Sequence, residues 1–154
     1  MSVFRRILHS TDFSPASAPA FRHAVMLARA CHAPLTLVHV MTPPSPFIGD
    51  GTPPQSYTEL LLLARRSARK RLAALLTRAR RQGLRAHAVF VEGLPAEEIL
   101  RATRRARADL VVMGTHGRSG VSRLFMGSVA ERVVRHAECP VLVVPAGMQR
   151  VPKT

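Results

Sequence analysis

Acidic residues are scarce in this chain of 154 residues: 9 Asp and Glu stand against 23 Lys and Arg, and the formal net charge is +14. A charge of this sign and size suits an anionic ligand, a nucleic acid or a membrane surface. The cations are spread over several predicted helices, however, so they also fit the solvated helix faces of an arginine-rich protein. The charge alone therefore leaves the class of partner open.

Aromatic residues, cysteines and long apolar runs are also few. Aromatic residues make up 5% of the chain and Trp is absent, which disfavours a nucleic-acid recognition module. No apolar run reaches the roughly 18 residues of a membrane span, and the N-terminus lacks the features of a signal peptide. The two cysteines, Cys31 and Cys139, are expected to be buried and reduced. These absences predict a cytoplasmic protein with no membrane contact, and the scattered histidines predict no zinc site.

Apolar, strand-like runs alternate along the chain with amphipathic segments. Strands are predicted at 3–9, 35–40, 84–91, 110–113 and 139–145, with helices after Ser14, over 57–82, from 93 to 106 and from 128 to 137. A proline-rich stretch at 41–56 is predicted to be irregular. The alternation predicts an α/β fold, a parallel sheet covered on both faces. The length suits one domain over residues 1–154, with its core at 3–146 and a short tail at 147–154.

The stretch from Asp109 to Ala137 carries the strongest functional signal. A buried strand, 110–113, leads into a glycine-rich loop and then into a helix that Gly127 and Ser128 open. Ser128 and Glu131 have the spacing of a capping box, which makes Ser128 the expected start of the helix. Glycines let the backbone approach an anion, and a helix N-terminus attracts negative charge. The stretch therefore predicts a phosphate site, although a loop that only connects two elements would also contain such glycines.

Gly114, Gly117, Gly127 and Ser128 have the spacing G-x2-G-x9-G-[ST], which resembles the nucleotide-binding members of the universal stress protein family. Neither the dinucleotide fingerprint nor the phosphate-loop lysine motif fits this spacing. The resemblance extends from Ile7 to Pro145. It implies a Rossmann-like fold, similar to that of the adenine nucleotide alpha hydrolases, with five parallel strands in the order 3-2-1-4-5. The loops after the first and fourth strands would then converge on one cleft.

The resemblance also implies a set of nucleotide-binding residues. They are Ser10, Thr11, Asp12, Val40, Met113, Gly114, Thr115, Gly117, Arg118, Gly127, Ser128 and Val129. Ser10 stands where relatives often have proline, and Asp12 is expected at the nucleoside end. Asp12 equally fits a turn-forming residue, while Val40 and Met113 also fit core positions and Arg118 also fits a side chain in solvent.

The function implied by the resemblance is ATP binding by a stress-response sensor or regulator. Mg²⁺ or Mn²⁺ would accompany the phosphates, and a homodimer would form through the last strand, Val141–Val144, whose apolar edge invites pairing. Hydrolysis is expected to be slow or absent, because the phosphate-loop lysine and paired metal-binding carboxylates of efficient phosphoryl-transfer enzymes are missing. Two alternatives stay open: a nucleotide-independent interaction module, and a non-specific nucleic-acid binder acting through the basic helices.

Overall fold

The computed structural model describes residues 3–43, 56–115 and 126–147. These residues form five strands and four helices that alternate along the chain. The strands are β1 (Ile7–Ser10), β2 (Leu35–Met41), β3 (Ala86–Glu92), β4 (Leu110–Gly114) and β5 (Val141–Val144). The helices are α1 (Ala18–Ala30), α2 (Tyr57–Arg81), α3 (Pro95–Ala106) and α4 (Ser128–His136), and a short 3-10 turn at Pro15–Ser17 precedes α1. Most of the predicted irregular stretch, residues 44–55, lies outside the described residues.

All five strands are parallel and lie in the order β3-β2-β1-β4-β5, which confirms the predicted fold. Ile7 of β1 is opposite Leu35 of β2 on one side and Leu110 of β4 on the other. The chain therefore reverses its direction of winding at β1, and the loops after β1 and β4 leave the same edge of the sheet side by side.

The central strands are buried on both faces, which explains their continuous apolar sequences. Ile7 belongs to a core cluster that includes residues of α1 and α2, whereas its neighbour Leu8 belongs to a second cluster with α3 and α4. Both side chains are at most 1% exposed. The two helical layers on this sheet hold the strand ends in place.

Several predicted details were wrong at the ends of elements. The first strand begins at Ile7 rather than Val3, because its partners begin only at Leu35 and Leu110; Val3 is 81% exposed. Ala64 of α2 is exposed and borders the cavity described below.

The two thiols correct another expectation. Cys31 and Cys139 are free, but each is half-buried rather than buried. Cys31 packs against the cluster on the α1 face and Cys139 against the cluster on the α4 face. Burial is also the main cause that raises the pKa of the Cys139 thiol, so this thiol is a poor nucleophile at neutral pH.

Across the described ranges, no helix combines the length and the apolar character needed to cross a membrane.

Candidate functional site

A cavity of about 730 Å³ opens at the carboxyl ends of β1 and β4. Ten of the twelve residues predicted to bind the nucleotide line it, and they come from four separate segments of the chain: Ser10, Thr11, Asp12, Val40, Met113, Gly114, Thr115, Gly127, Ser128 and Val129. The other two, Gly117 and Arg118, lie outside the described residues. The reversal of winding at β1 brings these segments together.

The turn after β1 is fixed by its own polar side chains. One carboxylate oxygen of Asp12, Oδ1, accepts hydrogen bonds from the backbone N–H of Ser14 at 2.9 Å and from its hydroxyl at 2.7 Å. The N–H of Phe13 donates to Oγ1 of Thr11 at 3.0 Å. Asp12 is therefore a turn-forming residue, as one of the two sequence interpretations had it, and it also borders the cavity.

A side-chain cap precedes α1, where the sequence predicted a helix after Ser14. Ser14 precedes the 3-10 turn and its hydroxyl accepts a hydrogen bond from the N–H of Ser17. Pro15 occupies the first position of this turn, where its missing N–H costs nothing. The α-helix itself begins three residues later, at Ala18.

An aromatic and cationic wall, formed by Phe13, His39 and Arg71, borders the same cavity. Phe13 has a φ of +61°, a left-handed conformation that is uncommon for a residue with a side chain. Arg71 donates from Nη2 to the Phe13 carbonyl at 2.8 Å, and its guanidinium lies 4.8 Å from the centre of the Phe13 ring. The Phe13 and His39 rings stack with centroids 4.2 Å apart. Arg71 therefore holds the strained turn from the neighbouring helix.

The sequence patterns did not predict this wall as part of the site. Phe13 follows Asp12 directly and His39 precedes Val40, so both were one residue away from predicted positions. Arg71 lies three residues after Ala68, on a side of α2 that also carries Ala64 into the cavity lining. Helical spacing places these α2 residues together, but only the tertiary structure shows which cavity they reach.

On the opposite side of the cavity, the end of β4 and the start of α4 are joined by the backbone. The N–H of Gly127 donates to the carbonyl of Thr115 at 2.7 Å, and the N–H of Thr115 donates to Val144 of β5 at 3.1 Å. This pair of hydrogen bonds fixes both ends of the segment that carries the glycine motif.

The predicted capping box at the start of α4 is wrong. Gly127 is the N-cap residue, with φ −62° and ψ 149°, and Ser128 is the first residue of the helix. Glu131 does not reach back to the helix start; its carboxylate pairs with Arg135 at 2.8 Å. The spacing of Ser128 and Glu131 suited a box that begins at Ser128, but the helix begins one residue earlier than such a box requires.

The first turn of α4 borders the cavity. Ser128, Val129 and Ala130 line it, and the first N–H groups of a helix have no carbonyl partner within the helix. The N–H of Glu131 makes the first hydrogen bond of the helix, to the carbonyl of Gly127. These N–H groups and the helix dipole can therefore hold an anion at this end of the cavity.

Metal ligands are sparse in this cavity. Asp12 is the one carboxylate among its lining residues, and the described part of the chain contains no cluster of three or more His, Cys, Asp or Glu side chains. A Mg²⁺ or Mn²⁺ ion here would therefore take most of its oxygen ligands from phosphates and water, as Mg²⁺ commonly does.

His9 lies on β1, in the sequence just before the cavity, and is fully buried. Its Nδ1–H donates to the Val112 carbonyl at 3.0 Å, while Nε2 has no hydrogen-bond partner among the described residues. Burial is the main cause that lowers the pKa of His9 from 6.5 to about 4. The imidazole is therefore neutral at physiological pH.

The fold and the cavity define a class: an open, parallel α/β protein with a cleft where the direction of winding reverses, and a helix N-terminus in that cleft. The family model described as "Universal stress protein family" matches residues 4–145. A universal stress protein of Methanocaldococcus jannaschii is 37% identical over 144 residues, covering 93% of this chain and 83% of that protein. The chain belongs to the universal stress protein family.

Solved structures agree with this assignment. A protein of the family from Burkholderia pseudomallei superposes with a TM-score of 0.75 at 34% identity, covering 94% of this chain and 98% of that one. A universal stress protein in complex with cAMP superposes with a TM-score of 0.70 at 23% identity, covering 94% of this chain and 98% of that one. A universal stress protein from Archaeoglobus fulgidus in complex with dAMP superposes with a TM-score of 0.63 at 22% identity, covering 92% of this chain and 98% of that one. The last two likenesses establish the fold.

Proposed function

We propose that this protein binds an adenine nucleotide, with ATP as the favoured ligand, and acts as a cytoplasmic sensor or regulator in a stress response. The observation that carries the proposal is the start of α4, which borders a cavity that Asp12 and Val40 also line. A volume of about 730 Å³ is within the ~300–1,000 Å³ common for small-molecule sites. Two universal stress proteins of the same fold have been solved in complex with cAMP and with dAMP, which supports this ligand class.

The nucleotide would lie with its phosphates at the start of α4 and its nucleoside toward β1 and β2. Gly114, Gly127 and the first turn of α4 would surround the phosphates, and the Ser128 hydroxyl would add a donor. Asp12 would accept hydrogen bonds from the ribose or the base, and backbone groups at Val40 would contact the adenine. Met113 would pack against the nucleoside. Gly117 and Arg118 are proposed for the phosphate end on the glycine spacing alone.

Calorimetric titration tests this proposal directly. We expect saturable binding of ATP in the presence of Mg²⁺, and release of ATP or AMP when the purified protein is extracted with acid. Because backbone donors recognise phosphate, adenosine should bind far more weakly than ATP. Absence of both bound nucleotide and binding heat would favour the nucleotide-independent interaction module instead.

Hydrolysis should be slow. The donors at the start of α4 hold phosphates in the ground state, whereas rate enhancement needs groups that bind the transition state more strongly. Steady-state release of phosphate is expected far below the roughly 10 per second typical of enzymes. Turnover at that typical rate would contradict this part of the proposal.

The basic helix α2 gives little support for nucleic-acid binding as the main activity. Five of its arginines have contacts within the protein, with carbonyls, a carboxylate or aromatic rings, namely Arg65, Arg69, Arg71, Arg78 and Arg80. A nucleic-acid surface would instead keep these guanidinium groups available for phosphates. A salt titration against duplex DNA distinguishes the two, since phosphate contacts weaken steeply as salt rises.

A homodimer through β5 is part of the proposal. β5 is an edge strand, and Leu142 on it is 36% exposed, so a second copy can extend the sheet or cover this surface. Val143→Lys should place a charge at the interface and shift the protein to monomer in light scattering. Leu142→Lys should do the same with less disturbance of the core.

The control for the dimer is Val3→Lys, which adds the same charge at an exposed position outside the sheet. It should leave the oligomeric state unchanged. A parent protein that is monomeric at micromolar concentration, with and without ATP, would contradict the dimer without affecting the proposed nucleotide site.

A further inference from the structure

A second, smaller groove of about 430 Å³ lies between α3 and the edge strand β3. Its floor is formed by aliphatic side chains, among them Val89, Val91, Ala102 and Ala106. The two valines lie on the edge strand and are half-buried. Within the described ranges, the groove and the cavity at the start of α4 share no lining residue.

The groove exists because α3 covers the middle of the sheet rather than its edge. The inward residues Ala96, Ile99 and Ala102 pack in one cluster with Leu8 and Val38 of the inner strands. Val89 of the edge strand is only at the periphery of this cluster. The outer half of β3 on this face therefore keeps an apolar strip that α3 does not bury.

The rim of the groove is cationic. Arg6, Arg101 and Arg105 border it, and Glu98 is the one acidic residue among the described residues that line it. Glu98 pairs with Arg101, so the charge of the other two arginines is not neutralised by a carboxylate of the groove. Arg6 uses its Nε to donate to the Arg107 carbonyl, which fixes the guanidinium beside the groove and leaves its terminal nitrogens as donors.

We propose that this groove binds an amphipathic anion, a carboxylate with a medium-length hydrocarbon tail. The tail would cover Val89, Val91 and Ala106, and the carboxylate would pair with Arg105 and Arg6. Arginine is suited to this role because its planar fork matches a carboxylate in a bidentate geometry. From α3 the groove is lined only by residues from Glu98 onward, beyond the first residues of that helix, whereas the cavity at α4 is bordered by a helix start, so the two spaces select different ligands.

Decanoate is the probe, used below its micelle-forming concentration, and decyltrimethylammonium is its cationic counterpart with the same tail. Amide spectra of the full chain by NMR should show saturable shifts at Val89, Val91 and Ala102 with decanoate. Decyltrimethylammonium should bind at least about tenfold more weakly, because it loses charge-assisted hydrogen bonds and meets repulsion from the rim. Equal binding of the two would mean apolar adsorption and overturn the proposal.

A matched pair of variants tests the rim. Arg105→Glu should weaken decanoate binding by about tenfold or more, whereas Arg104→Glu should change it less than about twofold, since Arg104 is exposed on the same helix but does not line the groove. Both variants carry the same change of charge, so a difference between them isolates the groove.

Three other results would overturn the proposal. Decanoate could fail to bind, its shifts could appear at Gly114 and Ser128 instead, or the two variants could bind it equally. If Arg105→Glu converts a dimer to monomer while decanoate does not bind, the groove is a contact between copies of the chain.

Discussion

Gly127→Val should abolish measurable ATP binding by calorimetry while circular dichroism shows the fold intact. Gly127 caps α4 immediately before the backbone donors of Ser128 and Val129, so a branched side chain would occupy space that a phosphate needs. Backbone strain does not contribute, because φ at Gly127 is −62°, a value that residues with a side chain also adopt. The loss is therefore a matter of space and should not be accompanied by unfolding.

Valine is also a poor N-cap, so a second pair of variants separates the helix from the ligand. Asn and Asp are both among the best N-cap residues and nearly equal in shape. Gly127→Asn and Gly127→Asp should keep α4 stable and both weaken ATP binding through the added side chain. Asp should weaken it further, because its carboxylate repels the phosphates.

Gly147→Val is the control, because among the described residues no atom beyond the chain neighbours of Gly147 lies within 4 Å of an added Cβ. It should bind ATP as the parent does. If Gly127→Val and Gly127→Asp also bind like the parent, the phosphates do not lie at the start of α4.

The stability of the protein should fall steeply as pH decreases from 6.5 to 4 because of His9. The unfolded chain has an ordinary histidine pKa of 6.5, whereas burial lowers the folded pKa to about 4. Between these values the unfolded chain binds a proton that the folded one does not, so acid favours unfolding. At about 1.4 kcal/mol per pKa unit, the full contribution is about 3 kcal/mol, present above pH 6.5 and lost by about pH 4.

Urea unfolding at pH 7 and at pH 4.5 measures this loss. His9→Asn removes the titrating group while its side-chain amide can still donate to the Val112 carbonyl, so the free energy of unfolding should depend less on pH. His87→Asn, at an exposed position of β3, should leave the pH dependence of the parent unchanged. The imidazole of His9 can also be titrated by NMR in the parent, which needs no variant. A native His9 pKa near 6.5 would contradict the prediction.

The parallel sheet was predictable from the sequence because the inner strands are apolar on both faces and separated by helical periods, whereas the order of its strands was implied by the resemblance to the family. Ile7 and Leu8, adjacent in sequence but in different core clusters, illustrate the pattern that identifies such strands. The positions of the cavity residues followed from this order, since residues after β1 and β4 must lie together at the switch point.

The wall of Phe13, His39 and Arg71 was not predictable by the same reasoning. Arg71 reaches the Phe13 carbonyl across 58 positions of sequence, and periodicity does not encode which arginine of a basic helix turns inward. The start of α4 shows a different limit. Ser128 and Glu131 have the spacing of a capping box, but a two-residue pattern of this kind can occur in a sequence without the box being formed. The carboxylate of Glu131 pairs with Arg135 instead.

The hydrogen bond between Gly127 and Thr115 has an entropic consequence. It joins the two ends of residues 116–126, and closing a loop of that length costs about 2 kcal/mol by the logarithmic dependence on loop length. This cost is met when the protein folds, so it does not have to be met again when a ligand arrives. Doubling the length of the segment would add only ~0.6 kcal/mol to this cost. The length of the segment can therefore vary with little effect on stability while the hydrogen bond between Gly127 and Thr115 is kept.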